Sequence, residues 1–178
     1  MCGTGSPTTT LEYTNHARRY NPDVQITVLD LSVCRLYRSK EKLGQVPSIN
    51  YVQTDTIHLP FDDNSFDRVE TDRLLQFFST EEKKWVIAEW KRILKPGGVI
   101  TTREHLVTPS NAGEKVLDDI FKLSLRKLGV KTYPTTTVEL ENIFSELGFD
   151  YSIRPFLIQE RYGVQMPLNK HIVAKRVS

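Results

Sequence analysis

The stretch Cys2-Gly3-Thr4-Gly5-Ser6-Pro7 decides how the rest of the chain is read. Glycines at positions 3 and 5 permit positive φ and a close approach of backbone to a ligand. Ser6 is a helix-capping residue, and Pro7 suits the first helical position. A glycine turn that runs straight into a helix presents free amides to a polar or anionic ligand. The helix so opened offers Leu11, Tyr13, Ala17 and Tyr20 as its expected buried face and stops at Asn21-Pro22.

Working outward from the turn, strand and helix signals alternate. Val24 to Leu29 is a β-branched run that ends at Asp30, Val33 to Leu43 a helix closed by Gly44, and Ile49 to Gln53 a strand that leads to Asp55. After the turn Asp62-Asp63-Asn64-Ser65 comes a strand over Phe66 to Thr71. Ser79-Thr80-Glu81-Glu82 is a capping box for a helix through Leu94, which Lys95-Pro96-Gly97-Gly98 ends before a strand at Val99 to Thr102. The spacing of Val116, Leu117, Ile120, Leu123 and Leu128 predicts an amphipathic helix over Ala112 to Leu128. A second capping box, Thr136-Thr137-Val138-Glu139, starts a helix through Leu147 that Gly148 terminates. Tyr151 to Ile158 and His171 to Val177 then read as strands with no helix-length segment between them, so an antiparallel pair is expected.

This alternation predicts a mainly parallel sheet covered on both faces, which binds ligands beyond the carboxyl ends of its strands. Asp30 stands at one such end, placed to accept hydrogen bonds from the two hydroxyls of a ribose, and Asp55 at the next, placed to accept from an exocyclic amine. Each has a plainer reading, since an aspartate after a strand is more often a helix cap and a lone Gly-x-Gly is usually just a turn.

Composition narrows the function classes. The 178 residues suit one domain, 1–178, and 24 basic against 22 acidic side chains leave a net charge of +2 with no patch that marks nucleic acid or an anionic membrane as partner. The basic cluster Lys91, Arg92 and Lys95 lies where a helix ends and complements its dipole. Cys2 and Cys34 lack both zinc-site spacing and the density of a disulfide scaffold, so no metal is expected and both read as reduced thiols. With no membrane-length apolar run and no signal-peptide pattern, the expected location is the cytoplasm.

Cys2-Gly3-Thr4-Gly5 with Asp30, then Gln53-Thr54-Asp55-Thr56-Ile57-His58-Leu59-Pro60-Phe61, Ser65-Phe66-Asp67-Arg68-Val69, Asp72-Arg73-Leu74-Leu75-Gln76-Phe77 and Arg92-Ile93-Leu94-Lys95-Pro96-Gly97-Gly98, resembles the class I S-adenosylmethionine-dependent methyltransferases. Within them it is most similar to the ubiquinone/menaquinone-biosynthesis-like enzymes of methyltransferase type 11, closely from Cys2 to about Val107 and beyond that only in pattern. The resemblance implies a Rossmann-like three-layer sandwich whose last strand is antiparallel, S-adenosylmethionine as cofactor, and methyl transfer to a small-molecule acceptor. It would set Gly3, Thr4 and Gly5 along the methionine and ribose, Asp30 on the ribose hydroxyls, Leu31 on the adenine face, Asp55 with the Thr56 amide at the adenine edge, and Thr71, Asp72 and Arg73 near the methionine. No catalytic nucleophile is required; an acceptor that must lose a proton would find Glu104 or His105 as base, though His105 also reads as a surface histidine. The acceptor would meet the segment from Arg103 to Pro134, where Phe121, Leu125 and Tyr133 are apolar enough to line a pocket.

One departure bears on all of this. The family pattern opens with a hydrophobic strand and an acidic residue two positions before the first glycine of G-x-G-x-G, and Met1 stands where that glycine would be. The expectation is a sheet lacking its central first strand, with residues upstream supplying strand, acid and lid, and with low stability or strand pairing by a partner as the result. The alternative function is a degenerate relative that keeps the fold for binding or regulation without catalysis.

Overall fold

The computed structural model describes residues 3, 7–44, 46, 48–106, 116, 119, 120, 123, 126, 127, 129–155 and 169–177. Thr4, Gly5, Ser6, Leu117, Phe121, Leu125 and Leu128 lie outside the described residues, so the readings made for them stay with the sequence. The elements are α1 (Pro7–Tyr20), β1 (Ile26–Asp30), α2 (Val33–Leu43), β2 (Ile49–Gln53), β3 (Phe66–Asp72), a 3-10 turn (Leu75–Phe77), α3 (Thr80–Ile93), β4 (Leu94–His105), α4 (Thr137–Glu146), β5 (Phe149–Pro155) and β6 (Asn169–Arg176).

β1 and β2 pair in parallel, Ile26 opposite Ile49 and Asp30 opposite Gln53. β3 pairs with β4, also in parallel, from Arg68 opposite Val99 to Asp72 opposite Arg103. β6 runs antiparallel to both β4 and β5. The result is the expected Rossmann-like α/β fold with a reversed last strand. Its hydrogen-bonded order is interrupted, however: β1-β2 form one sheet and β3-β4-β6-β5 another, with no strand between β1 and β3 among the described residues.

Helix α3 supplies what the ladder does not. Its buried Val86, Ile87, Trp90 and Ile93 share one apolar cluster with Leu29 of β1, Val69 of β3, Ile100 of β4, Ile172 and Ala174 of β6, and Leu140, Ile143 and Phe144 of α4. A smaller cluster, Ile26, Val28, Leu36 and Ile49, seats α2 on the first sheet. Both capping boxes form as the sequence predicts, with the Glu82 and Glu139 amides donating to Ser79 Oγ and Thr136 Oγ1 at 3.3 and 3.1 Å. The two helix starts are then tied by a fully buried Lys83, whose Nζ donates to Glu139 Oε1 at 3.1 Å and to the Pro134 carbonyl at 2.9 Å.

Three expectations are corrected. The segment Lys95-Pro96-Gly97-Gly98 belongs to β4, which begins at Leu94 because Leu94 already pairs with Phe66; the register then shifts between Phe66 and Arg68 to absorb the turn. Helix α1 buries Thr10 and Thr14, leaving Leu11, Tyr13 and Ala17 half-covered and Tyr20 80% exposed, because the face it turns inward is the one that carries these threonines, four residues apart. Val116, Ile120 and Leu123 are exposed, so their helical spacing does not mark a buried face among the described residues.

The two glycines of Lys95-Pro96-Gly97-Gly98 do different jobs. Gly97 takes φ +80° in open space, whereas a Cβ on Gly98 would lie 2.8 Å from the Lys95 carbonyl oxygen and 3.1 Å from that of Asp67. Those are backbone atoms of paired strands and cannot swing aside. Gly98→Ala is therefore expected to lose about 1–3 kcal/mol from overpacking, read as a lower urea midpoint at unchanged slope. An unaffected midpoint would mean that the junction of β3 and β4 opens freely.

Candidate functional site

The carboxyl ends of β1 and β2 lie side by side, and residues singled out in the sequence stand at or just beyond the ends of β1, β2 and β3. Asp30 ends β1 with a buried carboxylate, oriented by the Ser32 amide that donates to Oδ1 at 2.9 Å. Leu31 follows, apolar yet 69% exposed, so it does not belong to the core. Beyond β2, the Asp55 carboxylate accepts the Ile57 amide at 3.0 Å in a compact turn with no helix after it, so it is not the helix cap of its plainer reading. Two bonds tie the strand ends together: the Thr54 amide donates to the Asp30 carbonyl at 3.3 Å, and Gln53 Nε2 to the Leu31 carbonyl at 3.2 Å.

The loop carrying Asp55 is fastened from below by α3. Trp90 Nε1 donates to the buried Thr56 Oγ1 at 3.1 Å, and the Leu59 amide donates to Glu89 Oε1 at 2.8 Å. Arg92 spans the same loop, donating to the Leu59 carbonyl at 3.0 Å and the Phe61 carbonyl at 2.8 Å while its guanidinium pairs with Glu89 and Asp63. Hydrogen bonding to Arg92 holds the Glu89 carboxyl below its ordinary range. The run Asp55 to Phe61 thus owes its shape to side chains thirty or more residues away.

Gly3, at φ +62°, donates its amide to the Leu29 carbonyl at 3.0 Å, and its Cα packs so closely on Leu74 that a Cβ would meet Leu74 Cδ1 at 2.7 Å. A glycine is required there for both reasons. Thr4 and Gly5 lie outside the described residues. At the end of β3, Asp72 makes a two-point ion pair with Arg103 of β4, Nε to Oδ1 at 2.8 Å and Nη2 to Oδ2 at 2.6 Å. Arg73 takes φ +52° and donates its amide to the Arg103 carbonyl at 2.7 Å, and the ion pair with Asp72 is made by Arg103. Arg103 escaped notice in the sequence because its signal is not local; it follows only once Asp72 and Arg103 are known to end neighbouring parallel strands.

Tyr13 and Glu104 flank this region as unusual titratable groups. Burial, with Asp72 and Glu70 nearby, pushes the Tyr13 phenol up to about 12. Glu104 is fully buried; its Oε1 accepts from Thr102 Oγ1 at 2.8 Å and from the Leu75 amide at 3.4 Å, while Oε2 has no hydrogen-bond partner among the described residues. His105, the other base named from the sequence, is half-buried as the last residue of β4, which sets aside its reading as a surface loop histidine. Tyr133 is half-buried, with its amide on the Gln76 carbonyl at 2.8 Å.

The geometry suits a nucleoside. A buried, oriented carboxylate, an exposed apolar side chain beside it and a second carboxylate on the adjoining strand end offer a hydroxyl acceptor, a flat-ring platform and an amine acceptor in one row. Among the described residues no group of acidic, histidine or cysteine side chains is arranged to hold a metal ion, and no helix is long and apolar enough to cross a membrane.

Comparison with known proteins bears on the family and the fold. The methyltransferase-domain family model matches residues 2–102. A demethylmenaquinone methyltransferase of Staphylococcus aureus is 33% identical over 105 residues, 58% of this chain and 40% of that protein. A protein of Haemophilus influenzae is 32% identical over 109 residues, 61% of this chain and 41% of that protein. The matches thus span only about two fifths of the length of these relatives. Among solved structures, an S-adenosylmethionine-dependent methyltransferase from Methanosarcina mazei superposes with a TM-score of 0.73 at 18% identity, covering 99% of this chain and 90% of that one. Human N-acetylserotonin methyltransferase, solved in complex with S-adenosylmethionine, gives 0.71 at 17% identity over 99% of this chain and 47% of that one. A structure of a complex with the Haloferax volcanii Trm112 methyltransferase activator gives 0.77 at 16% identity, covering 99% and 81% of the two chains.

The buried Glu104 provides a test of the site's electrostatics. Desolvation pushes its carboxyl from 4.5 up to about 7, so between those values the unfolded chain releases a proton that the folded chain keeps, and stability falls as pH rises through that window. Glu104→Gln preserves an acceptor for the Leu75 amide without the titration. Relative to the parent it is expected to gain stability from about pH 5 to about pH 8, on the order of 3 kcal/mol at the upper end. Urea melts across that range check it; a difference independent of pH would show that Glu104 is not desolvated.

Proposed function

The chain belongs to the class I S-adenosylmethionine-dependent methyltransferase family, and from that premise we propose that it binds S-adenosylmethionine and transfers its methyl group to a small-molecule acceptor. The observation that carries this reading is the row formed by Asp30, Leu31 and Asp55 on adjacent strand ends, with Asp30 buried and oriented and Leu31 exposed.

The residues present fit the cofactor's adenosine half. Asp30 would accept from the ribose hydroxyls, as a carboxylate held by a backbone amide keeps its orientation. Leu31 would lie against the adenine, and Asp55 with the Thr56 amide would read its edge, on a loop that α3 holds rigid through Trp90, Glu89 and Arg92. Gly3, Thr4 and Gly5 would flank the ribose and methionine. Near the methionine, Asp72 would act through Arg103, as a member of an ion pair that fixes the ends of β3 and β4, with Arg73 beside it.

When bound, the cofactor supplies a methyl group already activated on a sulfonium, so the protein's part is alignment and exclusion of water. If the acceptor must lose a proton, Glu104 and His105 at the end of β4 are the candidate bases, and burial, which raises the Glu104 carboxyl to about 7, would make its carboxylate, formed above that value, a stronger base than an ordinary one. The lack of a basic patch favours a small molecule over nucleic acid as acceptor. A second reading is a methyltransferase-fold binding protein without catalysis, for which the observation is that among the described residues no ladder joins β1 to β3.

Calorimetric titration with S-adenosylhomocysteine tests the proposal. Stoichiometric binding is expected, and Asp30→Ala should weaken it by about 1–3 kcal/mol while the variant still melts cooperatively. A folded protein that binds no S-adenosylhomocysteine would favour the second reading, and unchanged affinity in Asp30→Ala would remove Asp30 from the site.

A further inference from the structure

Arg73 combines a firmly held backbone with a charge that nothing in the described chain balances. It is one of two residues other than glycine with positive φ among the described residues, at +52°. A long side chain takes that conformation only where its surroundings impose it. Here they do: the Arg73 amide donates to the Arg103 carbonyl at 2.7 Å, and Gln76 Nε2 donates to the Arg73 carbonyl at 2.9 Å. Both backbone groups are tied, one to β4 and the other to the turn that follows. The residue is half-buried, yet no carboxylate among the described residues pairs with its guanidinium. The neighbouring carboxyl groups are engaged elsewhere. Asp72 is taken up by the two-point pair with Arg103, and Glu104 accepts from Thr102 Oγ1 and the Leu75 amide.

The place of Arg73 links the two halves of the site. The next residue, Leu74, lies against Gly3, where a Cβ would meet its Cδ1 at 2.7 Å. The buried Gln76, which holds the Arg73 carbonyl, accepts the Tyr133 amide on its own carbonyl at 2.8 Å. One residue further on, the Pro134 carbonyl accepts from the buried Lys83 at 2.9 Å, so this segment is pinned twice. Arg73 thus stands just past the carboxyl end of a parallel strand, where such sheets take ligands, joined through Leu74 to Gly3 and through Gln76 to Tyr133.

Resting on the S-adenosylmethionine reading above, we propose that Arg73 is the carboxylate-recognition residue of the site. Its guanidinium receives a carboxylate from the bound small molecules, either that of the cofactor's methionine or one carried by the acceptor. A guanidinium presents two parallel N–H donors that match the two oxygens of a carboxylate, and the ligand supplies the counter-charge that Asp72 gives to Arg103. Gln76 is then a positioning residue, which holds Arg73 in its left-handed conformation. On the acceptor side, Lys131 Nζ lies 4.8 Å from the centre of the Tyr133 ring and adds a second cation.

The test compares S-adenosylhomocysteine with 5′-methylthioadenosine, which keeps the nucleoside and the sulfur but has no amino-acid carboxylate, by calorimetry on the parent and Arg73→Met. If the carboxylate is the cofactor's, Arg73→Met weakens S-adenosylhomocysteine by about tenfold to a hundredfold and leaves 5′-methylthioadenosine unchanged. If it is the acceptor's, both nucleosides bind the variant as they bind the parent. Benzoate then binds the S-adenosylhomocysteine-saturated parent about tenfold more tightly than benzamide, and Arg73→Met removes that preference. Arg73→Lys keeps the charge without the fork and should show a smaller loss of the same kind; should Arg73→Met not fold, an unaffected Arg73→Lys overturns the proposal. Equal weakening of both nucleosides would show a structural role only and overturn it, as would no change in either nucleoside or in the benzoate preference. A folded parent that binds neither nucleoside overturns the cofactor reading together with this role for Arg73, whereas binding without an Arg73 effect overturns the role alone.

Discussion

The packing of Trp90 and its neighbours on α3 is the constraint on which the rest of this structure rests. Backbone hydrogen bonds bind β1 to β2, and β3 to β4, β6 and β5, but among the described residues no ladder joins the two groups. Leu29, Val69, Ile87, Trp90 and Ile100 bridge them in one buried cluster. An apolar contact is non-directional, so it can hold two sheets together where a hydrogen-bonded strand is lacking. It cannot fix their spacing as a ladder would.

The same helix connects packing to chemistry. The face of α3 that buries Trp90 also directs the indole N–H to Thr56, and the adjacent turns present Glu89 and Arg92 to the backbone between Leu59 and Phe61. A loop of seven residues without regular structure is in this way held by four side-chain to backbone or side-chain bonds. Polar groups buried under a loop are worth most when every one is matched, and here the match orients Asp55. On the far side, the Asp72 and Arg103 pair fixes the ends of β3 and β4, and the buried Lys83 and Glu139 pair seats α4 against the start of α3. The surface of the site is therefore shaped by ion pairs and caps from below.

Much of this was legible in the sequence where the signal is local. Capping boxes at Ser79 and Thr136, the closing glycines Gly44 and Gly148, and the carboxylates after β1 and β2 all depend on neighbours within four residues. The periodic apolar face assigned to α1 misled, because a hydrophobic stripe says that a face can be buried and not what is there to bury it. The face that α1 buries carries Thr10 and Thr14, while Tyr20 is exposed. The helical spacing of Val116, Ile120 and Leu123 misled in the same way. Gly98 was read as a helix stop, when its requirement comes from the Asp67 carbonyl of a neighbouring strand.

By itself the sequence determined the order of strands and helices, the helix ends, the antiparallel finish and the residues that stand at strand ends, because each is set by torsional preference, capping or alternation over a few positions. Only the tertiary structure decided which of those residues meet. Arg103 pairs with Asp72 because two strands run in register although these residues are thirty-one positions apart, Thr56 is fixed by Trp90 because a helix crosses beneath its loop, and Leu29 of β1 shares a core with Val69 of β3 because both pack on α3. Contacts between elements depend on how far apart and at what angle the elements pack, and no local pattern of residues carries that distance.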